Sequence, residues 1–404
     1  MAIILSALKE PAGEKRVALS PAVVAKFVKG GFEVLLEKDS GAAAYFPDHL
    51  YTEAGATIVN RQTALAKANL IAVVDRPDED TLAQLKKGQV LIGLLKALVE
   101  PAVIQDLAKR QVTALSLELL PRTVSRAQNM DALSSQASIA GYKAALVGAN
   151  AFTRYLPMMI TAAGTAKPAK VLVLGTGVAG LQAIGTAKRL GAIVSGYDVR
   201  PASRNEVESL GANFLTSSVN AVGEGGYARQ LSAEEQQQQQ DELAGFIAKN
   251  DIIITTAQVP GRKPPLLVTQ KSVEAAPAGT IFVDLAASDL GGNVYSSKPS
   301  ETITTANNAQ IIGAQDLPSQ LATSASEMYA RNMQAVINTI VNEAEIVIDV
   351  KDDVLSELVA TYQGEIVSGR LRQALKLPDK NTDKPDPSAA ATAPAQPATT
   401  EGEK

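Results

Sequence analysis

The 404-residue chain has no cysteine, no tryptophan and a single histidine, His49. Without cysteine there is no disulfide framework, no thiolate nucleophile and no cysteine-ligated metal. One histidine also leaves little material for the acid/base relay that most dehydrogenases use. The charge is close to balanced, with 38 basic against 42 acidic residues and a net charge of −4. No Lys/Arg block stands out, so the electrostatic footprint of a nucleic-acid binder is missing. No run approaches the roughly 18 consecutive apolar residues of a spanning helix. The opening MAIILSALKEP lacks the basic flank and apolar length of a signal peptide. It reads as the buried first strand of a soluble protein, which still leaves docking on a membrane partner open.

What is present is an ordinary α/β pattern. Hydrophobic residues make up 46% of the chain, enough for a large core divided between two domains. Short apolar runs at Ile3–Leu8, Glu33–Glu37, Leu70–Val74, Val90–Leu94 and Val112–Ser116 alternate with amphipathic stretches such as Pro21–Lys29 and Pro101–Arg110. That alternation implies βαβ units and a parallel sheet. An alanine-rich segment, Ser134–Phe152, reads as a long connecting helix. A second α/β block starts at Lys170, with further strands near Ile193–Tyr197, Ile252–Thr255 and Ile281–Asp284. Helical pattern resumes around Ser326–Val341 and suggests a return to the first block. The expected fold is α/β, two Rossmann-like doubly wound parallel-sheet domains with a cleft between them and the second inserted into the first. The corresponding boundaries are 1–133 with 311–376, 134–310, and a tail at 377–404. The glutamine-rich Ser232–Glu242 reads as a solvated helix, and the Pro/Ala/Thr-rich tail as disordered.

The most specific local signal is VLVLGTGVAGLQAIGTAKRLGAIVSGYDVR, a strand, a GxGxxG turn, a helix and a second strand. Gly175 makes the tight turn, Gly177 lets the backbone approach a pyrophosphate, and Gly180 lets helix and strand pack closely. Val178 begins the helix, where free N–H groups and the dipole favour an anion. Asp198 lies 21 residues after Gly177, at the spacing of a carboxylate that accepts from ribose hydroxyls. A carboxylate would repel a 2′-phosphate, so NAD(H) is favoured over NADP(H), although Arg200 nearby could accommodate such a phosphate. The bland alternative is a glycine turn that merely packs a helix on a sheet; the strand, helix and spaced acid together favour the nucleotide.

Oxidising an alcohol or amine requires a proton acceptor as the hydride leaves. His49, in YFPDHLY, reads as a surface histidine, and no lysine stands in an evident catalytic motif. Hydride transfer between two nicotinamide rings needs no such relay, only orientation and exclusion of water. The segment PRTVSRAQNMDALSSQ offers polar residues that could orient a ring, namely Arg122, Arg126, Gln128, Asp131, Ser134 and Ser135. Equally, Asp131 could simply cap the helix that follows while the arginines are solvated.

Long motifs in order carry a resemblance over nearly the whole chain to about Leu377. They are RVALSP, PMMITAAGTAKPAKVLVLG, GTGVAGLQAI, DIIITTAQVPG, IFVDLAA, GGNV and DLPS. On these the chain resembles the soluble NAD(H)-binding component of proton-translocating NAD(P) transhydrogenase, within the wider alanine dehydrogenase/transhydrogenase family. The resemblance implies that Arg122, Gln128, Asp131 and Ser134 lie beside the nicotinamide. It assigns nucleotide binding to Gly175, Gly177, Val178, Gly180, Asp198, Val199, Arg200 and Gln258, and to Gly226 and Tyr227 of a loop (Gly225–Ala228) that closes over the nucleotide. Here the arginine segment is PRTVSRAQ, one residue longer than the family's pattern, so Arg122 and Arg126 compete for the arginine role. Gln258 stands where the family has leucine.

The resemblance further implies an oxidoreductase that passes a hydride between NADH and NADP+ on a partner subunit, of the proton-translocating rather than the Si-specific type. Its partners would be a second copy of itself, a membrane-spanning subunit and the NADP(H)-binding subunit. It would sit on the cytoplasmic face of the membrane through those partners, without inserting and without a metal. Alanine dehydrogenases, the nearest rival, look to a lysine and a histidine where this chain has Asp75 and Leu95 or Lys96. Arg16, their substrate-carboxylate residue, is retained. A non-catalytic NAD-binding module is the second rival.

Overall fold

The computed structural model describes residues 2–221, 229–258 and 263–378. The expected loop residues Gly226 and Tyr227 and the tail beyond residue 378 lie outside the described residues.

Apolar strands and amphipathic helices assemble into two sheets. In the first, the spatial order is Glu365–Ile366, Val359–Tyr362, Thr113–Ser116, Val90–Leu94, Leu70–Asp75, Ile4–Ala7, Glu33–Glu37, Thr57–Val59. The six strands from the N-terminal region are parallel, and the two late strands add antiparallel at the edge. In the second sheet the order is Asn213–Leu215, Ile193–Tyr197, Lys170–Leu174, Ile252–Thr255, Ile281–Asp284, Gln310–Gly313, Thr302–Thr304. There only the last strand pair is antiparallel. In both sheets the chain starts in the middle, winds outward through two strands, then jumps back across its first strand. This doubly wound order places a crevice at the carboxyl end of the first strand, where the winding reverses.

The fold class is as expected, with several boundaries moved. The long helix spans Ala132–Ala151, and the returning helix Ala322–Ile340. The return is real: Tyr329, Met333, Val336 and Ile337 are buried in the core of the first sheet, and strand Val359–Tyr362 joins its edge. The expected domain crossing at residue 311 falls inside strand Gln310–Gly313, which pairs with Ile281–Asp284 in the second sheet. The glutamine-rich helix runs Ala233–Ile247, started by a reciprocal Ser232/Glu235 capping box. It is not wholly solvated, because Leu243 and Ile247 pack into the second core.

One contact ties this arrangement together. Helix Ala132–Ala151 lies across the glycine-turn helix Val178–Arg189, and a Cβ on Gly141 would overlap the backbone of Ala179. Only glycine permits so close an approach. Gly141→Ala should therefore force the helices apart and cost ~1–3 kcal/mol of stability. Urea unfolding of the variant should show a lowered midpoint; an unchanged midpoint would mean that the helices are not held by this contact.

Candidate functional site

The glycine turn follows the physical roles read from its spacing. Gly175 has φ +92°, in the left-handed region, and a side chain there would also run into Thr256 Oγ1 at 2.7 Å. A Cβ on Gly180 would overlap the Gly175 carbonyl oxygen, so the helix can lie on the strand only without one. Gly177 differs from both: its Cβ position opens on space, with nothing within 4 Å. It is also the N-cap of helix Val178–Arg189, and no side chain caps that helix. The helix N-terminus thus faces open space with its first N–H groups uncapped, the cradle that a pyrophosphate fits. Val178, at the first helical position, is 38% exposed on that side.

Asp198 sits at the end of the neighbouring strand and is nearly buried. Its carboxylate accepts from Thr176 N (2.9 Å) and Oγ1 (3.1 Å), and from Arg200 N (2.9 Å), Nε (2.9 Å) and Nη2 (2.7 Å). Burial pushes its pKa up, but the Arg200 guanidinium and the backbone donors outweigh burial and hold it below the usual carboxylate range. Asp198 is therefore charged, and Arg200 is engaged by it. Val199 continues the chain, its carbonyl accepting from Ala221 N at 3.1 Å. Gln258, beyond the end of strand Ile252–Thr255, is exposed.

The polar segment before the long helix gathers three of its four expected residues into one network. Arg122 Nε donates to Asp131 Oδ2 at 2.9 Å and its Nη2 to Ser134 Oγ at 2.6 Å. Ser134 Oγ donates to the same Asp131 oxygen at 2.6 Å. Asp131 Oδ1 accepts from Ser134 N at 2.8 Å, so the aspartate caps the helix and anchors the arginine at once. Gln128 stands apart from the network, exposed on the 3-10 turn Ser125–Met130. Arg126 points elsewhere, pairing with Asp352 at 2.5 Å and with Asp353. The two arginines are thus separated in space, with Arg122 alone in the Asp131 cluster. Ser135 bonds to Asn332 Oδ1 at 2.7 Å, while Asn332 Nδ2 holds the Asn129 carbonyl at 2.8 Å.

Asn332 is not among the residues expected from the motifs, and neither is Asn293 at the carboxyl end of the second sheet. A signal for Asn332 exists: it is a polar residue on a helix face otherwise occupied by Tyr329, Met333 and Val336. His49 is exposed on the short helix Asp48–Glu53 and takes no part in the Asp131 network.

At the alanine-dehydrogenase positions the chemistry has changed. Asp75 and Lys96 form an ion pair at 3.1 Å, and Leu95 is buried. Arg16 is nearly buried, with Nε and Nη2 on Glu14 (2.9 and 2.6 Å) and Nη1 on Gln136 (2.8 Å). Its guanidinium braces the start of the chain against the long helix. Glu10 fills the crevice at the switch point of the first sheet, accepting from Val74 N (2.7 Å) and Asp75 N (3.0 Å).

A Rossmann-type dinucleotide-binding protein is the class that this fold and turn define. Comparison with known proteins places the chain more closely. The family model for the alanine dehydrogenase/PNT N-terminal domain matches residues 7–140, and that for the C-terminal domain matches residues 144–369. The first section of the NAD(P) transhydrogenase alpha subunit of Rhodospirillum rubrum, a separate chain there, is 42% identical over 367 residues, covering 88% of this chain and 95% of that protein. The protein of the same name from Rickettsia prowazekii is 40% identical, covering 91% and 97%. The solved structure of a transhydrogenase from Sinorhizobium meliloti superposes with a TM-score of 0.80 at 38% identity, over 90% of this chain and 100% of that one. The chain belongs to the alanine dehydrogenase/transhydrogenase family, and its relatives at this level of identity are alpha subunits of NAD(P) transhydrogenase.

Glu10 provides a pH test of the site's frame. Burial raises its pKa from 4.5 to about 8, more than its two backbone hydrogen bonds lower it. The folded protein therefore holds this proton more tightly than the unfolded chain. Glu10's contribution to stability is full below the unfolded pKa and is lost as pH rises through the folded one. Glu10→Gln, which cannot ionise, should gain on the wild type from pH 6 to about 8 and then run parallel to it. Thermal midpoints of the two proteins across pH 6–9 check this; a constant difference would show that Glu10 does not titrate there.

Proposed function

We propose that this chain is the NAD(H)-binding catalytic subunit of a proton-translocating transhydrogenase assembled from separate chains. It passes a hydride directly between NADH and NADP+ held on a partner subunit, and a membrane-spanning subunit couples that transfer to proton movement. The observation that carries the reading is the Arg122–Asp131–Ser134 network at the head of the helix that packs on the glycine turn. From Asp131 to the Gly141 contact is about 15 Å along one rigid helix. The same helix therefore links the polar cluster to the dinucleotide cradle.

The bound dinucleotide supplies the hydride: a C–H bond of the dihydronicotinamide breaks and a C–H bond forms on the acceptor ring. No proton leaves oxygen or nitrogen, so the chain needs no general base. Its own residues hold and orient. Gly177 and the N-terminus of the following helix receive the pyrophosphate, and Asp198 reads the adenosine ribose. Arg200, engaged by Asp198, is not set aside for a 2′-phosphate, which favours NAD(H) over NADP(H) on this chain. Arg122, Gln128, Asp131 and Ser134 position the nicotinamide, with Arg122 taking the arginine role because Arg126 is turned to Asp352 and Asp353. Val199 and Gln258 complete the described wall, and Gly226 and Tyr227 cover the nucleotide. The Asp75–Lys96 pair and the occupied Arg16 speak against an amino-acid dehydrogenase, since the donors such a substrate needs are spent within the protein.

Partner subunits follow from the same reading. No helix among the described residues is long and apolar enough to cross a membrane, so the chain attaches at the cytoplasmic face through its partners. A self-paired hairpin, Met159–Thr161 with Gly164–Ala166, exposes Ile160 (76%) and stands beside exposed Met158 and Tyr155. Such a protruding apolar hairpin supports a homodimer in which it is covered by the second copy. The domain division goes with these proposals: 1–133 with the returning chain to 376 as one unit, 134 to the end of strand Gln310–Gly313 as the other.

Reconstitution with the membrane and NADP(H)-binding partners tests the reading. NADH should reduce an NADP+ analogue directly, and Gln128→Ala or Asp131→Ala should slow transfer roughly 10-fold or more while changing NADH affinity far less. Absence of transfer in the complete assembly would leave a non-catalytic module, and alanine-dependent reduction of NAD+ by the chain alone would make it a dehydrogenase. For the dimer, Ile160→Lys should shift the sedimentation of the isolated chain towards the monomer.

A further inference from the structure

Behind the glycine turn lies a fully buried polar unit that makes none of the nucleotide contacts described above. Strand Ile281–Asp284 ends in Asp284, whose carboxylate accepts from Thr255 Oγ1 (2.9 Å), Ala286 N (3.0 Å) and Val294 N (3.1 Å). A Cβ on Gly292 would overlap an Asp284 oxygen, so glycine at that position lets the next residues fold down against the carboxylate. That approach seats Asn293, which is 0% exposed. Its Oδ1 accepts from Ala257 N at 3.0 Å, and its Nδ2 donates to Ala257 O at 2.9 Å and Pro265 O at 2.8 Å. Both polar groups of Ala257 are thus read by one amide side chain, with the donor and acceptor the right way round.

Ala257 and its neighbour are the residues pressed on the glycine turn. Thr256 Oγ1 donates to Gly175 O at 2.9 Å, and Thr256 N donates to Leu174 O at 2.9 Å. The Cβ position of Gly175 lies 3.3 Å from Ala257 N. We propose that Asn293 is a positioning residue for dinucleotide binding: it fixes Thr256 and Ala257 as the backstop that holds Gly175, and so the pyrophosphate cradle, in shape. The proposal rests on the nucleotide reading above and adds a residue that touches no nucleotide.

An amide is required because the site offers one N–H to accept and two carbonyls to satisfy. Asn293→Ala leaves these groups buried without partners, and Asn293→Asp puts an acceptor-only group against two carbonyl oxygens. The test is titration of NADH, by its fluorescence, and of ADP, by calorimetry, onto the wild type and both variants. Both probes should bind roughly 10-fold more weakly or worse, and Asn293→Asp should be the more damaging. In the reconstituted enzyme KM for NADH should rise while kcat at saturation stays within about twofold, because the loss is in binding rather than in the transfer step. Folded variants with wild-type affinity for both probes, or an equal fall in kcat with KM unchanged, overturn the proposal. Should the Asn293 variants fail to fold, Thr256→Val removes the hydroxyl on Gly175 O alone; weakened NADH and ADP binding supports the proposal and unchanged binding overturns it. Failure of the wild type to bind either probe would remove the nucleotide reading as well, whereas wild-type affinity in the variants removes only this one.

Discussion

The close crossing of helix Ala132–Ala151 on helix Val178–Arg189 is the constraint on which the site depends. Gly141 and Ala179 bring the two backbones together, and each helix carries a different half of the site at its N-terminal end. One begins at Gly177 and presents an uncapped N-terminus; the other begins at Asp131, which caps it and holds Arg122 and Ser134. Because helices are stiff over this length, fixing the crossing fixes the separation between the cradle and the polar cluster. A larger residue at 141 would alter that separation without touching either end.

Three buried carboxylates do different work around this frame. Asp198 is kept charged by Arg200 and joins the end of one strand to the turn at Thr176. Burial raises the pKa of Asp284, which organises the loop that seats Asn293. Glu10 occupies the switch-point crevice of the first sheet, where its counterpart in the second sheet is the open glycine turn. Two sheets of the same winding therefore have opposite fates at their crevices. One is plugged by a side chain from within, and the other remains available because glycine occupies the position where a side chain would stand.

Much of this was legible in the residues. The parallel sheets, the positions of their main strands, the glycine turn and the Asp198 site all follow from period, spacing and the φ requirements of glycine. Asp131 as a helix cap was equally legible, and the cap and the arginine anchor prove to be the same carboxylate. Missed were short elements with too few residues to show a period: strand Thr57–Val59, the hairpin at Met159–Ala166 and the antiparallel edge at Val359–Ile366. Such strands owe their existence to a neighbour's open edge rather than to their own pattern.

The sequence by itself determined that the chain has a dinucleotide turn, two doubly wound halves and almost no acid/base groups, because these rest on local geometry and on residue inventory. Which arginine joins Asp131 was decided only in three dimensions. Arg122 and Arg126 are close in sequence and chemically identical, and their partners lie respectively in the next helix and far along the chain at Asp352. Tertiary structure likewise turned Arg16 inward on Glu14 and Gln136, and set Asn293 behind the turn at Gly175. Hydrogen-bond partners distant in sequence leave no periodic trace, so only the folded chain could reveal that the glycine turn has a support of its own.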